Sequence, residues 1–372
     1  EREDMVVTVT SGGYIKRTPL IDFRAQRRGG KGLAGMQTKD EDVVTTLFVA
    51  NTHTQLLFFT TDGMAYKLKT WRLPLGGRTA KGKAIVNILP IPVGVSIAAI
   101  MPVDVEEKEW DNLQIIFATS AGDVRRNALS DFTNVRSNGK IAMDLNEGIE
   151  LVNARIAGED DDVMLFTDSG RAIRFSTTAV RVFKGRKSTG VRGIKLLGTD
   201  KVVSMSVIRH FIATPDERSA YLKMRRAVSG LVDEEASSDE EEVSENATIS
   251  PDRYAEMSAA ENLILTITAG GAGKLSSSHD YPVRGRGGMG VAAMDKTMRG
   301  GAIVASFPVE LEDQIMLATS NGQSIRVPIE GISFRSRSAG GVKVFDTKES
   351  EEVVSVAWIA DQGDDTEEDS EE

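Results

Sequence analysis

Six times along its 372 residues the chain repeats one pattern: an apolar, β-branched run reaches a glycine turn and continues into a second extended run. The copies are Val6 to Gly13, Leu56 to Gly63, Ile115 to Gly122, Val163 to Gly170, Leu263 to Gly271 and Ile315 to Gly322. A strand, a tight glycine turn and a strand make a hairpin, so six hairpins imply six repeats. The turn glycines at 13, 63, 122, 170, 271 and 322 are spaced by 50, 59, 48, 101 and 51 residues. A second glycine follows each by 17 to 20 positions, at Gly32, Gly82, Gly139, Gly190, Gly290 and Gly341. Two further strand-like runs come next, such as Ala84 to Ile88 and Val95 to Val103, or Ile194 to Leu197 and Val202 to Ile208. Four short strands per roughly 50 residues is the pattern of propeller blades. The expected fold is therefore all-β, a six-bladed ring of four-stranded blades over residues 1–360, with repeats starting near 5, 55, 113, 162, 263 and 314. Closure into a ring removes exposed sheet edges.

The 101-residue interval is a normal repeat plus about fifty residues, and it holds an acidic insertion over 209–262 between the fourth and fifth repeats. Within it, Ser219 to Val232 has helical spacing, and Ser250-Pro251-Asp252 has the form of an N-cap opening a second helix through Glu261. Between them, Asp233 to Glu245 has the composition of a disordered acidic run. Residues 211–262 carry a net charge of −8, and the acidic tail 361–372 another −8. Without these segments the total of −10 becomes +6, so the body is basic and its appendages acidic.

The basic residues gather around the second glycine of every repeat. The first repeat has Gln26-Arg27-Arg28-Gly29-Gly30-Lys31-Gly32, and the second has Arg78, Lys81 and Lys83. The third has Arg136 and Lys140, the fourth Arg186, Lys187 and Arg192, the fifth Arg284 and Arg286, and the sixth Arg335, Arg337 and Lys343. Further cations follow the hairpin turns: Lys16, Arg17, Lys67, Lys69, Arg125, Arg126, Arg171, Arg174 and Arg326. Equivalent positions in a ring share a rim, so these residues are expected to form a circumferential basic track. Glycines let a backbone approach a partner closely, and alternating cations suit phosphate. A curved basic track without ordered aromatic interleaving fits duplex better than single strands. At one or two phosphates per repeat, roughly 6–12 counterions are released and affinity falls steeply with salt. Nothing has the form of a recognition helix, so binding is expected to be weakly sequence-selective.

Other chemistries fail on their residues. No run of 18 apolar residues exists to span a membrane. With no cysteine there is neither a disulfide framework nor a thiolate metal site. Gly285 to Gly290 satisfies GxGxxG but opens no helix in a βαβ unit. Gly77 to Lys83 is similar to a P-loop, with Ala84 where a Mg²⁺-holding Ser or Thr belongs. His53, His210 and His279 share no ligand spacing, Glu159 to Asp162 lacks the EF-hand glycine and glutamate, and no Ser/His/Asp context occurs. Asn246-Ala247-Thr248 matches a glycosylation acceptor and is expected to be a chance match. The opening Glu1-Arg2-Glu3-Asp4 suggests a fragment of a longer protein.

The heptapeptide Gln26 to Gly32, the run Gly13 to Leu20 and the hairpin-then-basic-loop order closely resemble the C-terminal domain of bacterial DNA gyrase A. The heptapeptide looks like that family's gyrase A box, intact in the first repeat and degenerate in the others. The resemblance implies a six-bladed β-pinwheel that wraps duplex DNA around its rim in a positive sense, enabling ATP-dependent negative supercoiling by the holoenzyme. It implies Arg27, Arg28 and Lys31 as phosphate contacts, Gly29, Gly30 and Gly32 as shaping the loop, and Gln26 as polar support. It further implies no catalytic activity and no cofactor in this fragment, ATP, Mg²⁺ and the cleavage tyrosine belonging to the rest of gyrase A and to gyrase B. A monomeric fragment in the bacterial cytoplasm, associated with the nucleoid, is expected. Three alternatives stand beside it: the corresponding C-terminal domain of topoisomerase IV, whose box is degraded; a protein-binding propeller whose basic rim meets an acidic partner; and a propeller enzyme with polar groups at its centre. The acidic run and tail read either as solvated excursions or as segments lying on the basic track in competition with DNA.

Overall fold

The computed structural model describes residues 1–27, 42–77, 79–231, 236–237, 243–295 and 300–359, with the side chains of 24–27 left aside. The first repeat folds as β1 Asp4–Thr10, β2 Tyr14–Pro19, a short helix α1 Leu20–Arg27 and β3 Val44–Asn51. The strands β1 and β2 pair antiparallel around a turn whose Gly13 has φ +83°, and β3 lies on the other side of β1. The second repeat gives β4 Gln55–Thr60, β5 Met64–Lys69, β6 Lys83–Ala84 and β7 Ile97–Val103. The third gives β8 Gln114–Thr119, β9 Asp123–Ala128, β10 Lys140–Ile141 and β11 Leu151–Ile156. The fourth has β12 Asp161–Thr167, β13 Arg171–Ser176, β14 Val182–Phe183, β15 Val191–Arg192 and β16 Val202–Arg209. The fifth has β17 Leu263–Thr268, β18 Ala272–Ser277, β19 Val291–Ala292 and β20 Ile303–Val309, and the sixth β21 Gln314–Thr319, β22 Ser324–Pro328, β23 Val342–Lys343 and β24 Val353–Ile359.

Six blades form, as the repeats foretell, but a blade is not a repeat. The sheet orders are β3-β1-β2-β6, β10-β5-β4-β7, β11-β8-β9-β14 with β15 also on β9, β16-β12-β13-β19, β20-β17-β18-β23 and β22-β21-β24. Each short strand after a second glycine leaves its own repeat and pairs with the hairpin of the preceding one. Lys83 and Ala84 of the second repeat, for example, lie opposite Ile15 and Tyr14 of the first. The expectation that Ala84 to Ile88 forms a strand of its own blade is corrected: a 3₁₀ turn, Ile85–Asn87, follows two residues of exchanged strand. The physical reason lies in φ and contact at Gly82. Its φ is +82°, and a Cβ there would stand 2.3 Å from the Ile15 carbonyl oxygen, so a residue without a side chain lets the chain dock edge-on.

The cores lie between blades. Leu56 to Thr60 is buried at every position because both faces of the blade meet neighbours, which is why such strands read as continuous apolar runs. Between the second and third blades, Phe59, Phe117 and Phe132 pack edge-to-face at 5.3 to 5.8 Å beside the fully buried Trp110. Residues just past the exchanged strand, Ala142 and Met143, complete that core. The same device recurs with Ile194 between the third and fourth blades and with Ala293 and Met294 between the fourth and fifth. At the junction of sixth and first blades, β24 packs against β3, and Val43 joins Met316 and Ile359. The ring therefore meets itself along its innermost strands.

The insertion forms two helices, α2 Pro215–Val228 and α3 Pro251–Ala260. Ser250 caps α3 as its sequence foretells, but α2 starts one turn earlier than Ser219. Thr214 and Glu217 exchange hydrogen bonds at 3.1 Å each in a capping box, and Pro215 supplies a helical φ at the first position. Both helices dock on the fifth blade. His279 Nε2–H donates to the Met257 carbonyl at 2.6 Å, and the Tyr221 ring meets the imidazole edge-on at 5.0 Å. Most of the acidic run Asp233 to Glu245, and the tail 361–372, lie outside the described residues.

Candidate nucleic-acid interface

Strand exchange decides where the basic loops sit. The loop entering β6 rides on the first blade, that entering β10 on the second, that entering β15 on the third, that entering β19 on the fourth and that entering β23 on the fifth. Each is carried at the outermost hydrogen-bonded position of its sheet, opposite the inner strands β3, β7, β11, β16 and β20. Gly190 shows why a glycine opens the exchange: with φ +89°, a Cβ would lie 2.1 Å from the Val124 carbonyl oxygen. A pinned backbone at that edge leaves the flanking side chains on the rim.

Lys81, Lys83, Arg136, Lys187, Arg192, Arg286 and Lys343 are exposed there. Lys140, Arg186, Arg284 and Arg335 are half-buried. Several are held in place: Lys81 Nζ stands 4.2 Å from the centre of the Tyr14 ring, Lys140 donates to the Asp131 carbonyl at 2.7 Å, and Arg286 Nε donates to the Ala179 carbonyl at 2.9 Å. Arg337 is corrected. Only 1% exposed, it donates to the carbonyls of Asp280 and Ala292 at 2.6 Å each and acts as an internal strut. Arg28 to Gly32 of the intact heptapeptide, and Arg78, lie outside the described residues. Gln26 and Arg27 close the last turn of α1, so the heptapeptide begins on a helix.

The cations following the hairpin turns divide as well. Arg125, Arg126 and Arg174 are 0%, 7% and 4% exposed, against the expectation that they line the rim. Arg174 is ion-paired to the buried Asp162 at 2.8 Å and donates to the Ser278 carbonyl at 2.8 Å, joining the fourth and fifth blades. Arg125 and Arg126 are consecutive on β9 and face opposite ways, yet both are buried because that strand is covered on both faces, a distinction that charge alone does not show.

Some cations at the rim feel like charges as well as nearby carboxylates. Burial lowers the Lys140 ammonium below its ordinary value, and the nearby positive charges of Arg186 and Lys67 lower it further against Asp131. Burial likewise lowers Arg171, with Arg337 and Arg284 acting in the same direction. Like charges held this close by a folded backbone favour an anion. Among the described residues no group of three acidic or histidine side chains is arranged to hold a metal. No described helix is long and apolar enough to cross a membrane.

The family model for the DNA gyrase C-terminal domain, β-propeller, matches this chain six times, at 4–51, 54–104, 114–157, 161–209, 262–310 and 313–357. The chain belongs to that family. Those six segments coincide with the six repeats and pass over the insertion. DNA gyrase A of Rickettsia bellii is 44% identical over 373 residues, covering 100% of this chain and 41% of that protein. Its counterpart in Granulibacter bethesdensis is 45% identical, covering 98% of this chain and 41% of its own length, and that of Salmonella typhimurium 36% identical, covering 98% and 36%. The chain thus spans about two fifths of the curated relatives it matches. Among solved structures, a DNA topoisomerase IV C-terminal domain is similar at a TM-score of 0.72 and 22% identity, covering 98% of this chain and 95% of that one. A DNA gyrase A C-terminal domain is similar at 0.59 and 21%, covering 96% and 100%. At those identities the likeness concerns the fold, a gyrase-type propeller.

Proposed function

We propose that this gyrase-type propeller binds duplex DNA along its outer rim and bends it around the ring in a positive sense, as the non-catalytic wrapping domain of a type IIA topoisomerase. The observation that carries this reading is the crowding of exposed cations on exchanged-strand loops at the edge of five successive blades. Each loop is pinned by backbone pairing, so its charges are presented without the ordering cost of a free loop. Bending 20–30 base pairs costs on the order of 1–6 kcal/mol, which many simultaneous phosphate contacts can offset and one cannot. The rim cations are proposed phosphate contacts: Lys81, Lys83, Arg136, Lys140, Arg186, Lys187, Arg192, Arg284, Arg286, Arg335 and Lys343, with Arg78 and the heptapeptide Gln26 to Gly32 assigned from sequence.

In the complete enzyme the wrap presents a second duplex segment for strand passage and supports negative supercoiling. The rest of gyrase A and the gyrase B protein are the partners, ATP and Mg²⁺ act outside this domain, and the setting is the bacterial nucleoid. The deciding experiment ligates nicked circular DNA in the presence of the 372-residue chain and reads the linking number. A positive-sense shift that grows with protein and disappears at high salt is expected. Tight binding without any shift sinks the wrapping reading, and no binding at low salt turns the rim into a protein-docking surface. Replacing Gln26 to Gly32 by alanines in the full enzyme should abolish supercoiling and spare relaxation; loss of both, or of neither, removes the heptapeptide from this role.

A further inference from the structure

Three cations occupy the same place in alternate repeats: Lys16, Arg125 and Lys274 each stand three residues after the hairpin glycine, at 13, 122 and 271. Each reaches under the loop delivered by the next repeat and collects its carbonyls. Lys16 Nζ donates to Gly77 O and Ala80 O at 2.8 Å each. Arg125 Nη1 donates to Arg186 O and Ser188 O at 2.6 Å each, and its Nη2 to Ala142 O. Lys274 Nζ donates to Ser336 O at 3.0 Å, to Ala339 O at 2.7 Å and to Arg337 O. Arg125 and Lys274 are 0% exposed and Lys16 is half-buried. The second, fourth and sixth repeats have Tyr66, Ile173 and Ile325 at this position.

We propose that Lys16, Arg125 and Lys274 are positioning residues that fix the shape of the basic rim loops from beneath and make no contact with DNA themselves. Burying a cation is costly unless donors are well satisfied, and here the acceptors are the backbone oxygens of the loops to be shaped. In a planar trans peptide the N–H points opposite the C=O, so holding the carbonyls also fixes the direction of the following amides. The fifth blade shows the result. The N–H of Arg337, which follows the braced Ser336 carbonyl, donates to the buried Asp280 carboxylate at 2.8 Å, so the loop's amides are fixed inside the blade together with its carbonyls. Uncharged Met, of similar length, removes the brace without leaving a large void.

The inference rests on the rim reading for its consequence in DNA binding, and the two are separable by experiment. Amide hydrogen exchange of the 372-residue chain without DNA tests the brace alone. Arg125→Met should speed exchange in 186–192 roughly tenfold or more while the other blades keep wild-type protection. Lys274→Met should do so in 335–343 and Lys16→Met in 77–83. Arg125→Lys installs the residue used by the first and fifth repeats and should restore protection. Exchange unchanged by the Met variants, or raised across all blades alike, overturns the brace. Should a buried variant fail to fold, the half-buried Lys16→Met and the conservative Arg125→Lys decide it. With a linear duplex as probe, a loosened loop should weaken binding about threefold to tenfold through lost preorganisation. A loosened loop with unchanged affinity overturns the positioning role, whereas a wild-type chain that binds no duplex overturns the rim reading and leaves the exchange result standing.

Discussion

Lys274 and Lys343 belong to one sheet, on β18 and its exchanged partner β23, where Ala272 lies opposite Lys343. Lys274 is 0% exposed and spends its ammonium on backbone carbonyls; the Lys343 side chain is 69% exposed and meets Asp346 at 3.1 Å. The fifth blade thus has two sides with the same residue type and opposite roles. Between blades a cation organises the chain, where few water molecules compete and each hydrogen bond must be made. On the rim a cation is solvated, contributes little to folding and remains available to a polyanion. A count of basic residues per repeat merges these classes.

Deleting an inward cation whose partner is also buried should have the largest effect. Arg174→Met leaves the Asp162 carboxylate, 0% exposed, with the His210 imidazole at 2.9 Å in place of the guanidinium. Removing one member of a buried pair costs about 3–5 kcal/mol. The urea midpoint should fall accordingly with an unchanged slope, and adding Asp162→Asn should recover part of the loss. A loss under about 0.5 kcal/mol would place Arg174 with the surface substitutions and erase the distinction.

The outward class is tested by Lys83→Ala, Arg192→Ala and Lys343→Ala combined, since the three are exposed on different blades. Folding stability should hold, while the slope of log affinity against log salt should flatten by about 3, near 0.9 for each phosphate contact removed. An unchanged slope with weaker binding would mean these side chains shape the rim instead of touching phosphate.

These two classes also mark how far the sequence could be read. The hairpins were legible because blades packed on both faces need continuous apolar strands, as in Ile115 to Thr119, and because their turns need glycine. The start of α3 was legible from Ser250 and Pro251, whose side-chain acceptor and fixed φ act locally. Strand exchange was not. A two-residue strand such as Lys140–Ile141 has no periodicity, and its partner Met64–Ala65 lies some 75 residues upstream, set by the packing of whole blades. The burial of Arg125, Arg174 and Arg337 was equally hidden, since it depends on which neighbouring blade or loop covers each side chain once the blades are packed. Lys81, Lys83 and Arg192 were legible because they flank glycines whose conformation fixes the loop.

A third base sharpens the inward class by being able to lose its charge. Burial pushes the His279 imidazole below its usual value; the Met257 carbonyl and Glu261 act against that, and Arg174 and Arg218 act with it. The unfolded chain therefore takes up this proton first as pH falls through about 6.5. The contribution of His279 is whole above that pH and declines below it, toward the lower folded value. Protection of α3 amides should drop between pH 7 and pH 5, and His279→Gln, which keeps a donor for Met257, should reduce the pH dependence. A pH-independent α3 would show that the imidazole does not couple the insertion to the fifth blade.

The smallest effect belongs to the rim pair itself. Lys343 and Asp346 lie three residues apart with side chains 69% and 82% exposed, a setting in which an ion pair adds next to nothing to folding. Asp346→Asn should leave the thermal midpoint where it was. Its effect should appear against DNA, because a carboxylate beside a proposed phosphate contact both repels the backbone and occupies the ammonium. Affinity at low salt should rise about twofold to fivefold, and the gain should shrink as salt screens it over a Debye length near 10 Å at 0.1 M. Because Lys274 is satisfied by carbonyls and stays buried, charge changes at its own level of the blade should show no such salt-dependent gain. If Asp346→Asn stabilises or destabilises the fold while leaving DNA affinity flat, Lys343 belongs with the inward cations, and the division between the two sides of the fifth blade fails at its outermost residue.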